Sequence, residues 1–203
     1  MFTNREEVLE KALRVVAKMN YEKATQMEIA KACGLSKAGL IYYFPLKQDL
    51  FVAVVDKYIF ATQDPDNKFS FRGGTLLEFI DHHVESVEKT MRRIVGLLDD
   101  GNNPQGCSYN FYYFHLLMQV RQYYPDAGAK FAALFEKDRK LWRDLIERAK
   151  SSGEIRAEVD TEETVAMFRE VFYGLSFEQA FLSGLDTGEL SRKLRFIYSL
   201  IKA

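Results

Sequence analysis

Cysteine is scarce: Cys33 and Cys107 are the two in 203 residues, and neither stands in a C-x-x-C or Cys/His ligand spacing. That excludes a disulfide framework and a structural zinc site, and suits a reducing, cytoplasmic compartment. Long apolar runs are missing too. The stretch at residues 50–55 is closed by Asp56 and Lys57, far short of the roughly 20 residues of a membrane span, so no membrane partner is expected. The opening residues turn charged at Arg5, Glu6 and Glu7, where a secretion signal would run apolar. Net charge is almost absent, at −1, with 47% apolar and 28% charged residues, which excludes a disordered or low-complexity chain. G-x-S-x-G, H-E-x-x-H, P-loop and G-x-G-x-x-G patterns are all lacking, so no catalytic residue and no cofactor are assigned and the chain is not read as an enzyme.

What is present is helical periodicity. Four prolines punctuate the chain, and between them apolar residues recur at three and four positions rather than two. Thr3-x-x-Glu6, Thr25-x-x-Glu28 and Thr75-x-x-Glu78 read as capping boxes, the first opening a helix with Val8, Leu9, Ala12, Leu13, Val16 and Met19 on one face. Further helices are predicted over 47–61, 75–98, 105–123, 126–150, 161–183 and 188–201. The fold class is therefore all-α, with about nine helices: a small N-terminal unit, residues 1–46, packed directly on a larger one, residues 47–203. The first fifty residues carry eight basic against six acidic side chains, a balance that permits a nucleic-acid partner without arguing for one.

Residues 25–44, TQMEIAKACGLSKAGLIYYF, read as a helix, a tight turn and a second helix. Ile29, Ala30, Cys33, Leu35 and Leu40 supply the apolar contacts, Gly34 can end the first helix in the left-handed conformation, and Ser36 caps the second. The second helix presents Ser36, Lys37, Ala38 and Gly39 at its N-terminus, small or basic residues that let a positive dipole end approach DNA. Residues 34–51, GLSKAGLIYYFPLKQDLF, resemble the signature of TetR-family transcriptional regulators, and the resemblance extends back through the helix at 4–19 and Tyr21. Ser152-Gly153-Glu154-Ile155 ahead of Thr161, and Gly106-Cys107 as a helix opening, are similar to patterns of the AcrR-like branch.

The resemblance implies a helix-turn-helix DNA-binding domain at 1–46 and a helical ligand-binding and dimerisation domain at 47–203. Carried over by position, it implies that Thr25 and Gln26 lie against phosphate, that Ser36, Lys37, Ala38 and Gly39 enter the major groove, and that Tyr42, Tyr43 and Lys47 clamp the backbone. A phosphate would offset the dipole cost of Lys47 at a helix start. Tyr43 also suits core packing. Ile41 stands where the family commonly has tyrosine or histidine, and either packs inward or touches a thymine methyl.

For the larger unit the resemblance implies a ligand pocket and a homodimer interface. Aromatic residues exceed what a small helical core needs, and Phe79, His83, Tyr109, Tyr113, Phe135, Trp142, Phe168 and Phe172 are the candidates to line a pocket for a small apolar or aromatic effector. The stripe Leu190, Leu194, Ile197 and Ile201, with Leu175 and Gln179 on the preceding helix, is the candidate dimer interface, although such stripes also suit an internal core. His82 and His83 beside Asp81 and Glu85 do not make a metal site, because adjacent histidines point about 100° apart on a helix. The expected function is a ligand-responsive regulator, a repressor that binds a palindromic double-stranded operator as a homodimer. The competing reading is a helical small-molecule-binding or catalytic protein with a vestigial helix-turn-helix.

Overall fold

Side-chain caps decide where most of the helices begin. The computed structural model describes residues 4–69, 71, 73–99, 101 and 106–203. Helix α1 (Arg5–Met19) is capped by Asn4, whose side-chain oxygen accepts from the Glu7 N–H at 2.8 Å. Thr3, the cap expected from sequence, lies outside the described residues, and Asn4 holds the capping position. The predicted box forms at α2 (Gln26–Cys33), with Thr25 and Glu28 bonding reciprocally, and the helix ends at Gly34 with a left-handed φ of 69°. Ser36 then caps α3 (Lys37–Tyr43) by accepting from the Gly39 N–H at 3.1 Å.

Helix α4 (Lys47–Val55) runs on through a π-helical turn (Asp56–Phe60) into α5 (Ala61–Gln63). The following Asp-Pro, expected to be a plain break, starts the one-turn helix α6 (Pro65–Lys68), because the Asp64 carboxylate accepts from the Asp66 N–H and proline suits a first turn. Lys137 pins this turn to the next layer through Asp64 at 2.8 Å and Asp66 at 3.3 Å. The second predicted box, Thr75 with Glu78, opens α7 (Leu76–Leu98). Two further amides of that first turn, Leu76 and Leu77, donate to the Glu154 carboxylate at 2.8 and 3.1 Å.

Helices α8 (Tyr109–Tyr123), α9 (Ala127–Ser151), α10 (Thr161–Ala180) and α11 (Thr187–Ile201) complete the chain. The helix expected from 105 starts later, because the cap is Ser108, so Gly106 and Cys107 precede it rather than open it. The helix expected to reach 183 stops at Ala180, where the Gly184 amide turns back onto the Gln179 carbonyl at 2.9 Å. The fold is all-α. Among the described residues the one extended pairing is an isolated bridge between Ile155 and Lys202, and no single helix is long and apolar enough to cross a membrane.

Two cores organise these helices. In the first, α1 buries Val8, Leu9, Ala12, Leu13 and Val16 against Ile29, Ala30 and Leu40 of the helix-turn-helix and Leu50, Phe51 and Val54 of α4, and the cluster continues into Leu116 and Val120 of α8. Helix α4 thus belongs to the packing of both units. The second core joins Phe79 and Ile80 of α7, Trp142 and Ile146 of α9, Phe168 of α10 and Leu190, Leu194, Ile197 and Ile201 of α11.

Candidate nucleic-acid interface and ligand cavity

The turn between α2 and α3 leaves the N-terminus of α3 open to solvent. Ser36, Lys37 and Ala38 are exposed and Gly39 is half-buried, while Leu40 on the opposite face is fully buried and anchors the helix. Small side chains therefore surround backbone N–H groups at a positive dipole end, with Lys37 beside them. Thr25 is exposed at the start of α2. Gln26 donates to the Pro45 carbonyl at 3.1 Å, which ties that start to the turn leaving α3.

Tyr42 is 85 % exposed and meets Tyr43 edge-on at 5.5 Å. Tyr43 itself is half-buried and packs on the first core, so of the two only Tyr42 has its whole ring available. Ile41 is exposed rather than packed inward, leaving a methyl-bearing side chain on the open face. Lys47 differs from expectation. Its ammonium donates to the Tyr21 carbonyl at 2.9 Å and sits 4.2 Å from the centre of the Tyr21 ring, so the cost of a cation at a helix start is met inside the protein.

A cavity of about 210 Å³ lies between the two cores. The α4–α5 rod contributes Ile59 and Gln63, α6 contributes Lys68, α7 His83, Val87 and Thr90, α8 Asn110, Tyr113, Phe114 and Leu117, α9 Phe135 and Asp138, and α10 Phe172, Tyr173 and Ser176. Of the eight predicted pocket residues, His83, Tyr113, Phe135 and Phe172 line it. Phe79, Trp142 and Phe168 do not: Trp142 stacks on Phe168 at 4.8 Å and takes Phe79 edge-on at 4.9 Å, so all three are spent on the second core behind the cavity wall. Tyr109, in the first turn of α8, packs on the first core away from the cavity.

The polar groups of the cavity are few. The Lys68 ammonium donates to Gln63 Oε1 at 3.1 Å, Gln63 Nε2 donates to the Tyr113 hydroxyl at 2.7 Å, and burial pulls Lys68 down to about 8. Burial likewise brings His83 to about 3, with the charges of Lys68 and His82 acting in the same direction, so the imidazole is neutral. Asp138 accepts from Arg169 at 2.7 Å and from the Tyr173 hydroxyl at 3.3 Å. Lys68 and Asp138 escaped the sequence reading, because Lys68 sits in what reads as a turn and Asp138 among alternating charges of a long helix.

The predicted dimer residues are also placed differently. Leu175, Leu190, Leu194, Ile197 and Ile201 are buried inside the subunit, and Gln179 is engaged by Glu189 and the Asp186 amide, both at 2.7 Å. Outside lie Met167 and Phe177 on α10, Phe181 just past its end, and Phe196 and Leu200 on α11, all exposed. His82 and Asp81 are used locally, the latter by Arg195 at 2.6 Å, and no group of three metal-ligating side chains comes together among the described residues.

Residues 8–54 match the family model of bacterial regulatory proteins, tetR family. No curated protein matches the chain in sequence. In fold, the chain is similar to a transcriptional regulator of Saccharomonospora viridis in complex with choline, at 17% identity and a TM-score of 0.67, covering 98% of this chain and 97% of that one. It is similar to a ketosteroid transcriptional regulator of Mycobacterium tuberculosis at 14% identity and a TM-score of 0.63, covering 100% and 97%. A third similar structure is the regulator AibR in complex with isovaleryl coenzyme A and operator DNA, at 18% identity and a TM-score of 0.63, covering 95% of each chain.

Proposed function

We propose that this chain is a TetR-family repressor of the AcrR-like branch, acting in the cytoplasm, that binds a palindromic operator as a homodimer and leaves it when a small molecule fills the cavity. Residues 1–46 carry the DNA contacts, and residues 47–203 carry ligand and dimer. The observation that bears most weight is the open N-terminus of α3. Lys37 is held there, and Tyr42 near the other end of the helix, by a buried Leu40 and a capped first turn, within the segment that matches the family model. The operator-bound structural neighbour supports the same reading of the fold.

Coupling between cavity and DNA-binding unit has a continuous physical route. The α4–α5 rod places Ile59 and Gln63 on the cavity at one end and Leu50, Phe51 and Val54 in the N-terminal core at the other. A ligand that prefers one setting of this rod shifts the spacing of two recognition helices, by no more than its difference in affinity for the two settings. The Ser152–Ile155 segment, whose Glu154 holds the start of α7, carries the branch assignment.

Selection of bound duplexes from a random DNA pool at near-physiological salt tests the reading. The expected result is a two-fold symmetric consensus, and sequence-indifferent retention overturns it. With that consensus in hand, Lys37→Ala is expected to lower the slope of log affinity against log salt by about 0.9 per subunit if Lys37 meets phosphate. An unchanged slope with relaxed sequence preference assigns Lys37 to a base instead.

A further inference from the structure

We infer that the cavity takes a compact anion, a carboxylate carried on an aromatic or branched apolar body. The inference rests on the reading of this cavity as an effector site and adds the ligand's charge and size to it. Among the described residues that line the cavity, the charged ones are Lys68 and Asp138, and they are not equivalent. Asp138 is already matched: Arg169 donates to it at 2.7 Å in a pair whose side chains are both largely buried, and the Tyr173 hydroxyl adds a second contact. Lys68 has the neutral Gln63 oxygen and the faces of Phe69 and Phe172, at 5.4 and 5.1 Å from their ring centres, and feels Asp138 only at longer range. One positive charge therefore faces the cavity without a carboxylate of its own.

Beside it stand polar atoms that the protein leaves unsatisfied. Both ring nitrogens of His83 and the hydroxyl of Ser176 are buried with no hydrogen-bond partner among the described residues. Buried polar atoms rarely go unpaired, and a cluster of them in one cavity marks a place where something else completes the bonds. The three residues are neighbours around one ring: Phe172 lies against Lys68 and, at 5.3 Å, against His83, and Ser176 follows one turn later on the same helix. A neutral imidazole offers one N–H, serine an O–H and lysine an ammonium, so the set presents three donors to the two oxygens of a carboxylate. The part of the wall formed by Val87, Phe131, Leu134 and Phe135 is apolar and fits the body of such a ligand, with Thr90 and Asn110 the further polar side chains on the lining. The volume of about 210 Å³ lies below the roughly 300–1,000 Å³ of drug-sized sites, which holds the ligand small. A cationic ligand would meet Lys68 with no free carboxylate to offset it.

The test titrates the full chain with benzoate, phenylacetate, 4-phenylbutyrate and hexanoate, each beside its neutral amide and its matched ammonium. Trp142 is the one tryptophan of the sequence and lies 5.3 Å from the His83 ring, so its emission reports on this site. At least one carboxylate is expected to bind about tenfold or more tighter than its amide, with its ammonium counterpart not binding. Lys68→Met and Lys68→Gln, checked for helicity, are expected to erase that preference, and Ser176→Ala to weaken carboxylate binding several-fold. Equal binding of acid and amide, preference for the ammonium, or no carboxylate bound at about 10 mM overturns the proposal. DNA retention measured on the same preparation separates the two readings. A chain that selects an operator but ignores carboxylates sinks this inference alone, and one that binds carboxylates but no operator sinks the regulator.

Discussion

His83 is 3 % exposed, stacked on Phe69 at 5.0 Å and met edge-on by Phe172 at 5.3 Å. Burial is the main reason its pKa falls from 6.5 to about 3, and Lys68 and His82 add to the fall. Between those two values the unfolded chain binds a proton that the folded chain refuses. The stability tied to a neutral His83 is therefore complete above pH 6.5 and lost as pH drops, with a slope of up to about 1.4 kcal/mol per pH unit. His83→Phe removes that slope, so the difference between urea midpoints at pH 5 and pH 8 shrinks relative to the parent chain. An unchanged difference would assign the acid sensitivity to another group. At this scale the sequence yields residue types better than surroundings. Helical spacing tells that Phe79, His83, Trp142 and Phe168 are inward-facing, which they are, but spacing carries no information on which inward face meets a void. That is decided by the close stack of Trp142 on Phe168, which fills one side, and by the shorter Ser176 and Val87, which leave room on the other.

Element starts were legible where a reciprocal capping box among the described residues makes them. Thr25 and Thr75 cap as their spacing predicts, because the capping box is a local arrangement that needs nothing from the rest of the fold. The start at Tyr109 was missed because serine at 108 competes with a Gly-Cys pair that looks equally apt, and the fold decides through the Ser108 hydroxyl, which donates to the Ala180 carbonyl at 2.6 Å. Long-range ties of this kind are invisible in sequence, and α8 has more of them. One face of α8 gives Tyr113 and Leu117 to the cavity, and positions two residues on, about 200° away, give His115 and Gln119 to α1. Gln119 accepts from the Tyr21 amide and donates to the Val16 carbonyl at 3.3 Å, holding the end of α1. Gln119→Ala leaves the Tyr21 amide without its partner, while the Val16 carbonyl keeps the Asn20 amide at 3.1 Å, and is expected to cost about 1–3 kcal/mol in a urea titration. Amide exchange at Tyr21 should quicken in the same variant. If the coupling route runs through α8, ligand should also release less DNA from it than from the parent chain at equal occupancy.

On the proposed reading, a single recognition helix of seven residues reads too little DNA for specificity, so the function calls for two of them. The helices expected to join the subunits are α10 and α11, but the stripe chosen from sequence is the one the subunit keeps. Leu190 and Leu194 belong to the more regular and more apolar stripe, and the fold packs it into one core with Phe79 and Ile80 of α7. What remains outside is a second, broken stripe in which Arg192 and Lys193 interrupt Met167, Phe196 and Leu200. Phe196 is 62 % exposed and Leu182, just beyond α10, is 67 % exposed, apolar surface that the proposed homodimer would cover. A two-fold axis crossing these outer faces would bury both sets and form a four-helix interface. Phe196→Glu with Leu200→Glu changes only exposed positions, so helicity and thermal midpoint should stay near those of the parent. Sedimentation should then give a monomer. On the proposed reading each subunit brings its own phosphate contacts, so the slope of log affinity against log salt on the selected operator should fall by about half. A double variant that still sediments as a dimer would move the interface to another face, and a monomer that keeps the full salt slope would mean that one subunit already makes all the phosphate contacts.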